Sequence, residues 1–309
     1  MYTGIDIGGT KCAVILGDEN AAIVDKIKFD TTTVDETYKR IVDAVRALGA
    51  GEAIGISCGG PLDAKNGVIL SPPNLPGWDD VHIVELLEHA FGVPAYLKND
   101  ADACTLAEWQ HGAGKGCDNM VFMTFGTGLG AGLILNGRLY TGASDAAGEA
   151  GHIRLSQLGP VGYGKPGSFE GFCSGGGIKQ IGQMFARAKF QMGARVSYCD
   201  SLAELDRITA KTIADCAKQG QEDAREVYAF CGKMLGMGLS VLIDILNPER
   251  IVLGSIFQRC EELLRPSMEA VVRAECLAAT AGACTIVPAA LGDSIGDVAA
   301  LTIAMMGDG

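Results

Sequence analysis

The sequence predicts an α/β fold with two lobes, and three observations support this prediction. The chain has 309 residues, whereas a single hydrophobic core usually stops growing at roughly 250 to 300 residues. Apolar stretches of strand length alternate with stretches of helical periodicity. A strand, a glycine-rich turn and a second strand occur twice, at 2–16 and at 120–135. One compact domain remains an alternative, and the recurrence of the hairpin is as compatible with chance as with one ancestral unit used twice.

The first hairpin opens the fold, and a helix follows it. Residues Tyr2 to Leu16 alternate around a Gly8-Gly9 turn, which indicates two antiparallel strands. Thr33 and Glu36 then have the capping-box spacing, and Gly49 provides a stop. The apolar face of this predicted helix consists of Tyr38, Ile41, Val42, Val45 and Leu48.

A glycine- and proline-rich loop divides the next strand from the next helix. Residues 53–57 predict a buried strand, and the loop at 58–78 excludes a long helix. A loop of this length is more often functional than idle. The pattern then predicts a helix over 82–91 and a strand over 95–98. Asn99-Asp100 follows at the strand end, where open α/β sheets hold their chemistry.

The C-terminal half is also predicted as α/β. The second hairpin carries the turn FGTGLGAG, and a long amphipathic helix through Val227 and Ile245 precedes a buried strand at Arg250–Leu253. The most apolar long segment, 234–246, has 13 residues and includes Asp244. About 20 residues are needed to cross a bilayer, so we expect a buried helix and no membrane association.

Charge and cysteine usage exclude several classes of function. The net charge of −12 repels nucleic-acid backbones, and the sequence shows no basic patch to offset it. The start, MYTGIDIGG, does not have the pattern of a secretory signal, which favours the cytoplasm. Eleven scattered cysteines are typical of reduced thiols packed as small apolar groups rather than of a disulfide framework.

The two glycine turns are the candidate phosphate sites. Glycine lets backbone N–H groups approach phosphate oxygens closely, and Thr10 and Thr127 add hydroxyl donors. A single glycine turn is more often a plain hairpin turn, but two matching turns favour phosphate binding. Neither the P-loop pattern nor a complete G-x-G-x-x-G occurs in the sequence.

Two aspartates have the chemistry that phosphoryl transfer needs. Asp6, at the end of the first strand, could serve a metal ion, and Asp100 is the best candidate for the base that accepts a hydroxyl proton, with Asn99 orienting the same group. An Asn-Asp pair alone is more often a turn or a helix cap. The catalytic interpretation of Asn99-Asp100 is favoured by a series of polar residues beside glycines, which could bind a polyhydroxylated ligand. These residues are Asn74, Glu149, His152 and Glu170.

These residues together resemble the ROK family of bacterial sugar kinases and sugar-responsive repressors, over nearly the whole chain. The phosphate motifs correspond to IDIGGTK at 5–11 and to 126–132. The sugar loop is similar to GGP at 59–61 and PNLPGW at 73–78, and the catalytic segment to NDADA at 99–103. GEAGH at 148–152 corresponds to the E-x-G-H motif, and NPERIVLGS at 247–255 to the adenosine-side strand and turn, with Ser255 where a second glycine is common.

The resemblance implies an actin-like ATPase, ribonuclease H-like α/β fold whose two lobes have a central active-site cleft. The N-terminal lobe would comprise 1–113 plus about 297–309, and the C-terminal lobe 114–296. Asp100 would be the general base, and Asp6 would hold Mg²⁺, through water. The implied sugar contacts are Gly59, Gly60, Asn74, Asn99, Asp100, Glu149, His152 and Glu170. The implied ATP contacts are Asp6, Gly8, Gly9, Thr10, Lys11, Gly126, Thr127, Gly128, Gly130, Gly254 and Ser255.

The chain departs from the family at one motif. Members usually carry C-x-C-G-x-x-G-C-x-E after the histidine, and His with three Cys binds a structural zinc. This chain has GPVGYGKPGSFE at 159–170, with Gly162 and Ser168 where cysteines would lie. Glycine and serine cannot replace thiolate ligands at such a site. We therefore expect no structural zinc, and a loop ordered by packing and prolines.

The resemblance implies an ATP- and Mg²⁺-dependent kinase acting on the 6-hydroxyl of a hexose. Glucose is favoured, and N-acetylmannosamine, allose and fructose are the alternatives. A catalytically inactive sugar-sensing regulator is the alternative from another class, although regulators carry an N-terminal DNA-binding module, whereas the first phosphate strand here begins at Tyr2. Family members are commonly homodimers or homotetramers, so we expect one of these assemblies and no nucleic-acid or membrane partner.

Overall fold

The computed structural model describes residues 1–307, so residues 308 and 309 of the expected N-terminal lobe lie outside the described part. The chain divides into two compact units. Unit 1 comprises Met1–Phe122, Gly132–Ala147 and the described residues from Ala290 onward, and unit 2 comprises Met123–Ala131 and Gly148–Ala289.

Strands and helices alternate through both units. The strands are β1 (Tyr2–Ile7), β2 (Lys11–Gly17), β3 (Ile23–Asp30), β4 (Ile54–Cys58), β5 (Leu62–Asp63), β6 (Val68–Ile69), β7 (Ala95–Asn99), β8 (Met120–Phe125), β9 (Leu129–Leu135), β10 (Arg138–Leu139), β11 (Val161–Gly162), β12 (Lys165–Pro166), β13 (Arg250–Leu253) and β14 (Thr285–Pro288). The helices are α1 (Val34–Leu48), α2 (Ile83–Phe91), α3 (Asp100–His111), α4 (Phe169–Phe172), α5 (Gly175–Gln191), α6 (Ala210–Lys218), α7 (Glu222–Leu246), α8 (Ile256–Glu275), α9 (Ala278–Ala283) and α10 (Ile295–Met306).

Two five-stranded sheets share one plan. The first has the order β3-β2-β1-β4-β7, and the second has the order β10-β9-β8-β13-β14. In the first sheet β1, β2 and β3 are antiparallel neighbours, while β4 lies parallel to β1 and to β7. In the second sheet β13 and β14 are likewise parallel. The predicted hairpin at 2–16 is confirmed, and its layout recurs in the second sheet.

Local signals set the helix boundaries that the sequence predicted. The Thr33 side chain accepts a hydrogen bond from the Glu36 N–H, and α1 ends at Gly49, which has φ = 102°. Strand β7 leads directly into α3, because Asn99 ends the strand and its side-chain oxygen accepts from the Ala101 N–H at 2.9 Å. This junction places Asp100 on the first turn of a helix at the carboxyl end of a strand.

The first sheet is buried on both faces within unit 1. One face packs in a cluster that includes Ile5, Ile56 and Ile41 of α1, and the other packs in a cluster that includes Ile15 and Leu301 of α10. Helix α10 lies so close to β4 that a Cβ on Gly55 would be 2.1 Å from the Ala300 carbonyl oxygen. The closing helix therefore covers the strands that carry Asp6 and Asn99.

The apolar segment 234–246 is part of a longer helix than its composition suggested. Helix α7 has 25 residues and is long and apolar enough to cross a membrane by length and composition. The argument from a 13-residue length is therefore wrong, because the helix continues through the charged residues that precede Met234. Half of its most apolar window is buried within the protein, and it packs against α6 and α8. These contacts give α7 the environment of a core helix of unit 2.

Candidate active site

The first glycine turn connects β1 to β2 in unit 1. The Gly8 N–H donates to the Lys11 carbonyl at 3.0 Å, and the Thr31 hydroxyl donates to the Gly8 carbonyl at 2.6 Å. Within residues 1–307, the N–H groups of Gly9 and Thr10 have no protein acceptor. Two consecutive free amides on an exposed turn are the arrangement that binds an anion.

The second turn connects β8 to β9 and repeats this arrangement. The Gly126 N–H donates to the carbonyls of Thr124 and Gly128, at 2.8 and 3.0 Å. The next two amides, those of Thr127 and Gly128, have no acceptor in the described part of the chain. Both turns therefore place two free N–H groups directly after a glycine whose own N–H closes the turn.

The structure narrows the set of residues expected to bind phosphate through their amides. Gly8 and Gly126 use their N–H groups inside the turns. Gly130 belongs to β9, and its N–H donates to the Thr124 hydroxyl at 2.9 Å, so this amide is not free, and the expected contact of Gly130 with ATP stays a prediction. The four-residue hydrogen-bonding pattern of each turn could not be read from the glycine spacing alone.

The Asp6 carboxyl lies in a group of carboxylates in unit 1. Burial raises the pKa of Asp6 to about 6, and the negative charges of Asp297 and Asp100 add to the increase, while Lys26 and Lys28 oppose it. Asp297, at the start of α10, forms an ion pair with Lys26. A Cβ on Gly296 would lie 3.0 Å from the Asp6 carboxyl, so this glycine leaves room for the acid.

These carboxylates fit Mg²⁺ better than a metal held by protein ligands alone. Residues 1–307 contain no group of three or more His, Cys, Asp or Glu side chains arranged to hold a metal ion. Mg²⁺ keeps several waters and is usually bound through one or two carboxylates together with substrate phosphates. One partly accessible carboxylate beside a turn with free amides matches that requirement.

Asp100 lies beside the predicted sugar loop. A Cβ on Gly59 would meet only the Asp100 carboxyl within 4 Å, at 3.9 Å, and a Cβ on Gly60 would lie 3.0 Å from Asn99 Nδ2. Solvent reaches the Asp100 side chain, yet the surrounding protein raises the pKa of its carboxyl, against two backbone hydrogen bonds that lower it. A raised pKa makes this carboxylate a stronger base than an ordinary aspartate.

Asn74 and Asn99 differ in what they can still bind. Asn99 uses its side-chain oxygen as the cap of α3, which leaves its Nδ2 group as a donor near Gly60. The cap expected for an isolated Asn-Asp pair and the site role are therefore compatible. Asn74 is exposed, and its backbone packs on Gly9, where an added Cβ would lie 2.6 Å from the Asn74 carbonyl oxygen. The sugar loop thus rests directly on the first phosphate turn.

The remaining predicted sugar residues form a second group, in unit 2. Glu149 and His152 are exposed; Glu149 precedes a short 3-10 turn at Ala150–His152, and His152 is the last residue of that turn. A Cβ on Gly151 in this turn would lie 2.1 Å from the Leu129 carbonyl and 3.4 Å from the Glu170 side chain. The Glu170 carboxylate accepts from the Leu129 N–H at 3.0 Å. The structure therefore brings the E-x-G-H segment, Glu170 and the second phosphate turn together.

In the loop that departs from the family motif, hydrogen bonds add to the packing that we expected. The Gln180 side chain accepts from the Val161 N–H and donates to the Val161 carbonyl, at 2.8 and 2.9 Å. Ser168 is fully buried and caps α4 by accepting from the Gly171 N–H at 3.0 Å. A Cβ on Gly162 would lie 2.4 Å from the Gly171 nitrogen, so no cysteine fits at this position. The absence of zinc stays a prediction.

The turn after β13 explains why glycine is common at the position of Ser255. Ser255 has φ = 50°, a backbone region that side chains disfavour. It is stabilised by a reciprocal cap with Gln258, whose side chain accepts from the Ser255 N–H at 2.9 Å. The Gly254 N–H donates to the Met123 carbonyl at 2.9 Å. This turn therefore packs against β8, the strand that leads into the second phosphate turn.

Three features of the site were missed from the sequence. Thr124 closes the second turn, the Lys26–Asp297 pair flanks Asp6, and Asp102 is a buried acid two residues after Asp100. Thr124 could have been found by aligning TFGTGL with DIGGTK, because Thr124 then takes the place of Asp6. No sequence signal joins Lys26 to Asp297, which are far apart in the chain.

Comparison with known proteins finds glucokinases and a sugar-responsive repressor among the proteins that this chain is similar to. The chain is 30% identical over 268 residues to a glucokinase of Thermotoga maritima, an alignment that covers 84% of this chain and 83% of that protein. A glucokinase structure from Streptomyces griseus, in complex with glucose and AMPPNP, matches with a TM-score of 0.77 and 29% identity, over 99% of both chains. The xylose repressor of Caldicellulosiruptor bescii is 27% identical over 82% of this chain and 65% of that protein.

The fold, the paired phosphate turns and these similarities define an ATP-dependent sugar kinase that acts on a small-molecule sugar. The chain belongs to the ROK family, whose model matches residues 2–306. The family resemblance and the actin-like α/β fold that it implied are thereby confirmed.

Proposed function

We propose that this chain transfers the γ-phosphoryl group of ATP to the 6-hydroxyl of a hexose, with glucose as the favoured acceptor and Asp100 as general base. The position of Asp100 carries the proposal. It lies at the junction of a strand and a helix, its carboxylate is accessible, and the glycines of the sugar loop leave open space beside it. N-acetylmannosamine, allose and fructose are the alternative acceptors.

On the acceptor side, Asp100 accepts the proton of the attacking hydroxyl. The hydroxyl oxygen then forms the bond to the γ-phosphorus while the bond to the leaving oxygen of ADP breaks in line. Asn99 Nδ2 and the backbone at Gly59 and Gly60 orient the sugar, and Asn74, Glu149, His152 and Glu170 supply further hydrogen bonds to its hydroxyls. A positioned base of this kind typically contributes about 10²- to 10⁴-fold to the rate.

On the donor side, the free amides of the two turns bind phosphate oxygens. Gly9 and Thr10 provide one pair of N–H groups, and Thr127 and Gly128 provide the other. Lys11 offers a cation beside the first turn, and Gly254 and Ser255 border the adenosine. Asp6 would hold Mg²⁺, through water, and the ion would supply neutralisation of charge on the phosphate chain.

The experiment that tests the proposal measures ADP release against a panel of hexoses. Asp100→Asn should lower kcat at least about 10²-fold while sugar affinity, measured by calorimetry, stays within a few-fold. Asp35→Asn is the matched control, because Asp35 is exposed on the first turn of α1 and should leave both values unchanged. Full turnover in Asp100→Asn would rule out this residue as the base.

A sugar-sensing regulator is the second candidate, and the similarity to the xylose repressor favours it. The same assay separates the two functions. A protein that binds a hexose but releases no ADP at any sugar or Mg²⁺ concentration would support the sensor and contradict the kinase. Cytoplasmic location and a homodimeric or homotetrameric assembly stay predictions.

A further inference from the structure

A polar cavity in unit 1 adjoins the proposed acceptor site. Its volume is about 320 Å³, and its polar lining consists of Lys65, Lys98, Asn99, Asp102, Thr141 and Asp145. These residues come from the β5–β6 hairpin, the β7–α3 junction and the segment after β10. Asn99 borders both this cavity and the space near Gly60 and Asp100, so a sugar bound by Asn99 lies at the cavity mouth.

Asp102 is the most buried of these polar side chains. Its side chain is 6% exposed, and within residues 1–307 its carboxylate makes no hydrogen bond or ion pair. Burial raises the pKa of Asp102 to about 7, Lys98 opposes the increase, and Asp145 and Asp100 add to it. A buried carboxyl without a hydrogen bond costs free energy, and a donor from a ligand would offset that cost.

We propose that this cavity is a further acceptor subsite, in which Asp102 accepts a hydrogen bond from a hydroxyl or ammonium substituent of the sugar other than the phosphorylated hydroxyl. The inference rests on the proposed function. The chemistry of the lining matches a polyhydroxylated group. Asp102 and Asp145 accept, Lys65 and Lys98 donate, and the Thr141 hydroxyl does both.

This position makes Asp102 a specificity-determining residue. Asp100 and Asp102 are two residues apart on α3 and therefore point about 200° apart around the helix axis. Asp100 faces the reacting hydroxyl, and Asp102 addresses a different part of the acceptor. Sites with a buried polar group reject analogues that lack the matching group, because the site group is then left unpaired.

The test is a cycle that combines Asp102→Asn with sugars that lack single hydroxyls. The tightest binder among D-glucose, N-acetyl-D-mannosamine, D-allose and D-fructose is identified by calorimetry without ATP. Its singly deoxygenated forms are then titrated against wild type and variant. We expect Asp102→Asn to weaken binding of the parent sugar about tenfold and to have no further effect on one deoxy analogue. Replacement of that same hydroxyl by an amine should strengthen binding to wild type only if the ammonium group is the preferred donor.

Controls separate this role from a structural one. Asp102→Asn should leave the thermal unfolding temperature unchanged or raised, because it removes a buried charge. Thr141→Val, on a different segment, should weaken the same sugar. Asp43→Asn, exposed on α1, should change nothing. If Asp102→Asn weakened the binding of every analogue equally, or of none, the subsite would be overturned even if the wild type is an active kinase. Coupling at one hydroxyl in a protein without ADP release would support the subsite and contradict the kinase, and absence of binding by any of the four sugars would overturn both.

Discussion

The two phosphate turns use the same backbone device with different side chains. In DIGGTK and TFGTGL, a glycine N–H closes the turn and the next two N–H groups are free. Asp6 in the first turn corresponds to Thr124 in the second. The Thr124 hydroxyl accepts a hydrogen bond from the Gly130 N–H inside the turn. The pKa of the Asp6 carboxyl, in contrast, is raised to about 6.

This difference separates phosphate binding from metal binding. Both turns can bind anions through amides alone, which requires no charge on a side chain. Only the first turn adds a carboxylate, and it does so beside Asp100 and Asp297. The second turn instead receives a carboxylate from outside, because Glu170 accepts from the Leu129 N–H. Metal chemistry is therefore expected at the first turn.

The largest effect expected from this comparison is on turnover. Asp6→Asn should lower kcat by about 10²- to 10³-fold, as expected for the loss of a group that stabilises transition-state charge. Thr124→Val removes one neutral hydrogen bond and should cost about 1 kcal/mol of stability with kcat within a few-fold of wild type. Steady-state kinetics with varied Mg²⁺ measure kcat in both variants. Calorimetry measures how their AMPPNP binding depends on Mg²⁺. Equal losses in the two variants would contradict the division between the turns.

The second effect is on stability: Asp6→Asn, which should lower kcat, should stabilise the folded protein. The folded pKa of Asp6, about 6, lies above its ordinary value of 3.8, so the charged form destabilises the folded state. This cost is absent below about pH 4, increases between pH 4 and 6, and is complete above pH 6. Asp6→Asn should therefore raise the free energy of unfolding at pH 8 by up to about 3 kcal/mol. Urea unfolding at pH 8 and pH 5 checks this, since the gain should be smaller at pH 5.

A smaller effect distinguishes Gly9 from Thr127, the residue at the matching position of the second turn. Gly9→Ala places a methyl group against the Asn74 carbonyl, so the first turn or the sugar loop must shift. We expect KM for ATP to rise about tenfold, which corresponds to about 1.4 kcal/mol. Thr127, the matching position in the second turn, is exposed, and Thr127→Ala should change KM by less than threefold. A similar KM for ATP in both variants would show that contact with Asn74 does not matter.

The smallest effect concerns the loop beside Glu170. We expect purified protein to contain no stoichiometric zinc, and treatment with a zinc chelator followed by added Mg²⁺ to leave kcat unchanged. Metal analysis by mass spectrometry measures the content. Stoichiometric zinc that survives Cys173→Ser would contradict the prediction, because Cys173 is buried against α7 and lies outside the altered motif.

The fold was largely predictable from the sequence because its signals are local. Periodicity, the Thr33 cap and the Gly49 stop predicted α1, and the apolar run predicted the buried strand at Arg250–Leu253 as the structure has it. The long amphipathic helix predicted through Val227 and Ile245 is confirmed as α7, whereas the 13-residue apolar segment alone understated its length.

The candidate site was predictable in its residue types but not in its partners. Motifs located Asp6, Asp100 and the glycines, yet which amides stay free depends on hydrogen bonds such as that between Thr124 and Gly130. The ion pair of Lys26 with Asp297 joins residues 271 positions apart. Such pairs arise from sheet and helix packing, which spacing along one sequence does not encode.

The packing of α10 on β1 and β4 also determines when unit 1 can be completed during biosynthesis. Gly55 accommodates the backbone of Ala300, and the buried Glu108 carboxylate accepts from the amides of Ala290 and Leu291 at about 3 Å. The strands that carry Asp6 and Asn99 thus acquire this cover only after α10 has left the ribosome. About 200 residues separate the end of β7 from the end of α10, and at roughly 5 to 20 residues per second their synthesis takes about 10 to 40 s. Throughout this interval, the first sheet has one apolar face uncovered, which makes the nascent chain a substrate for chaperones.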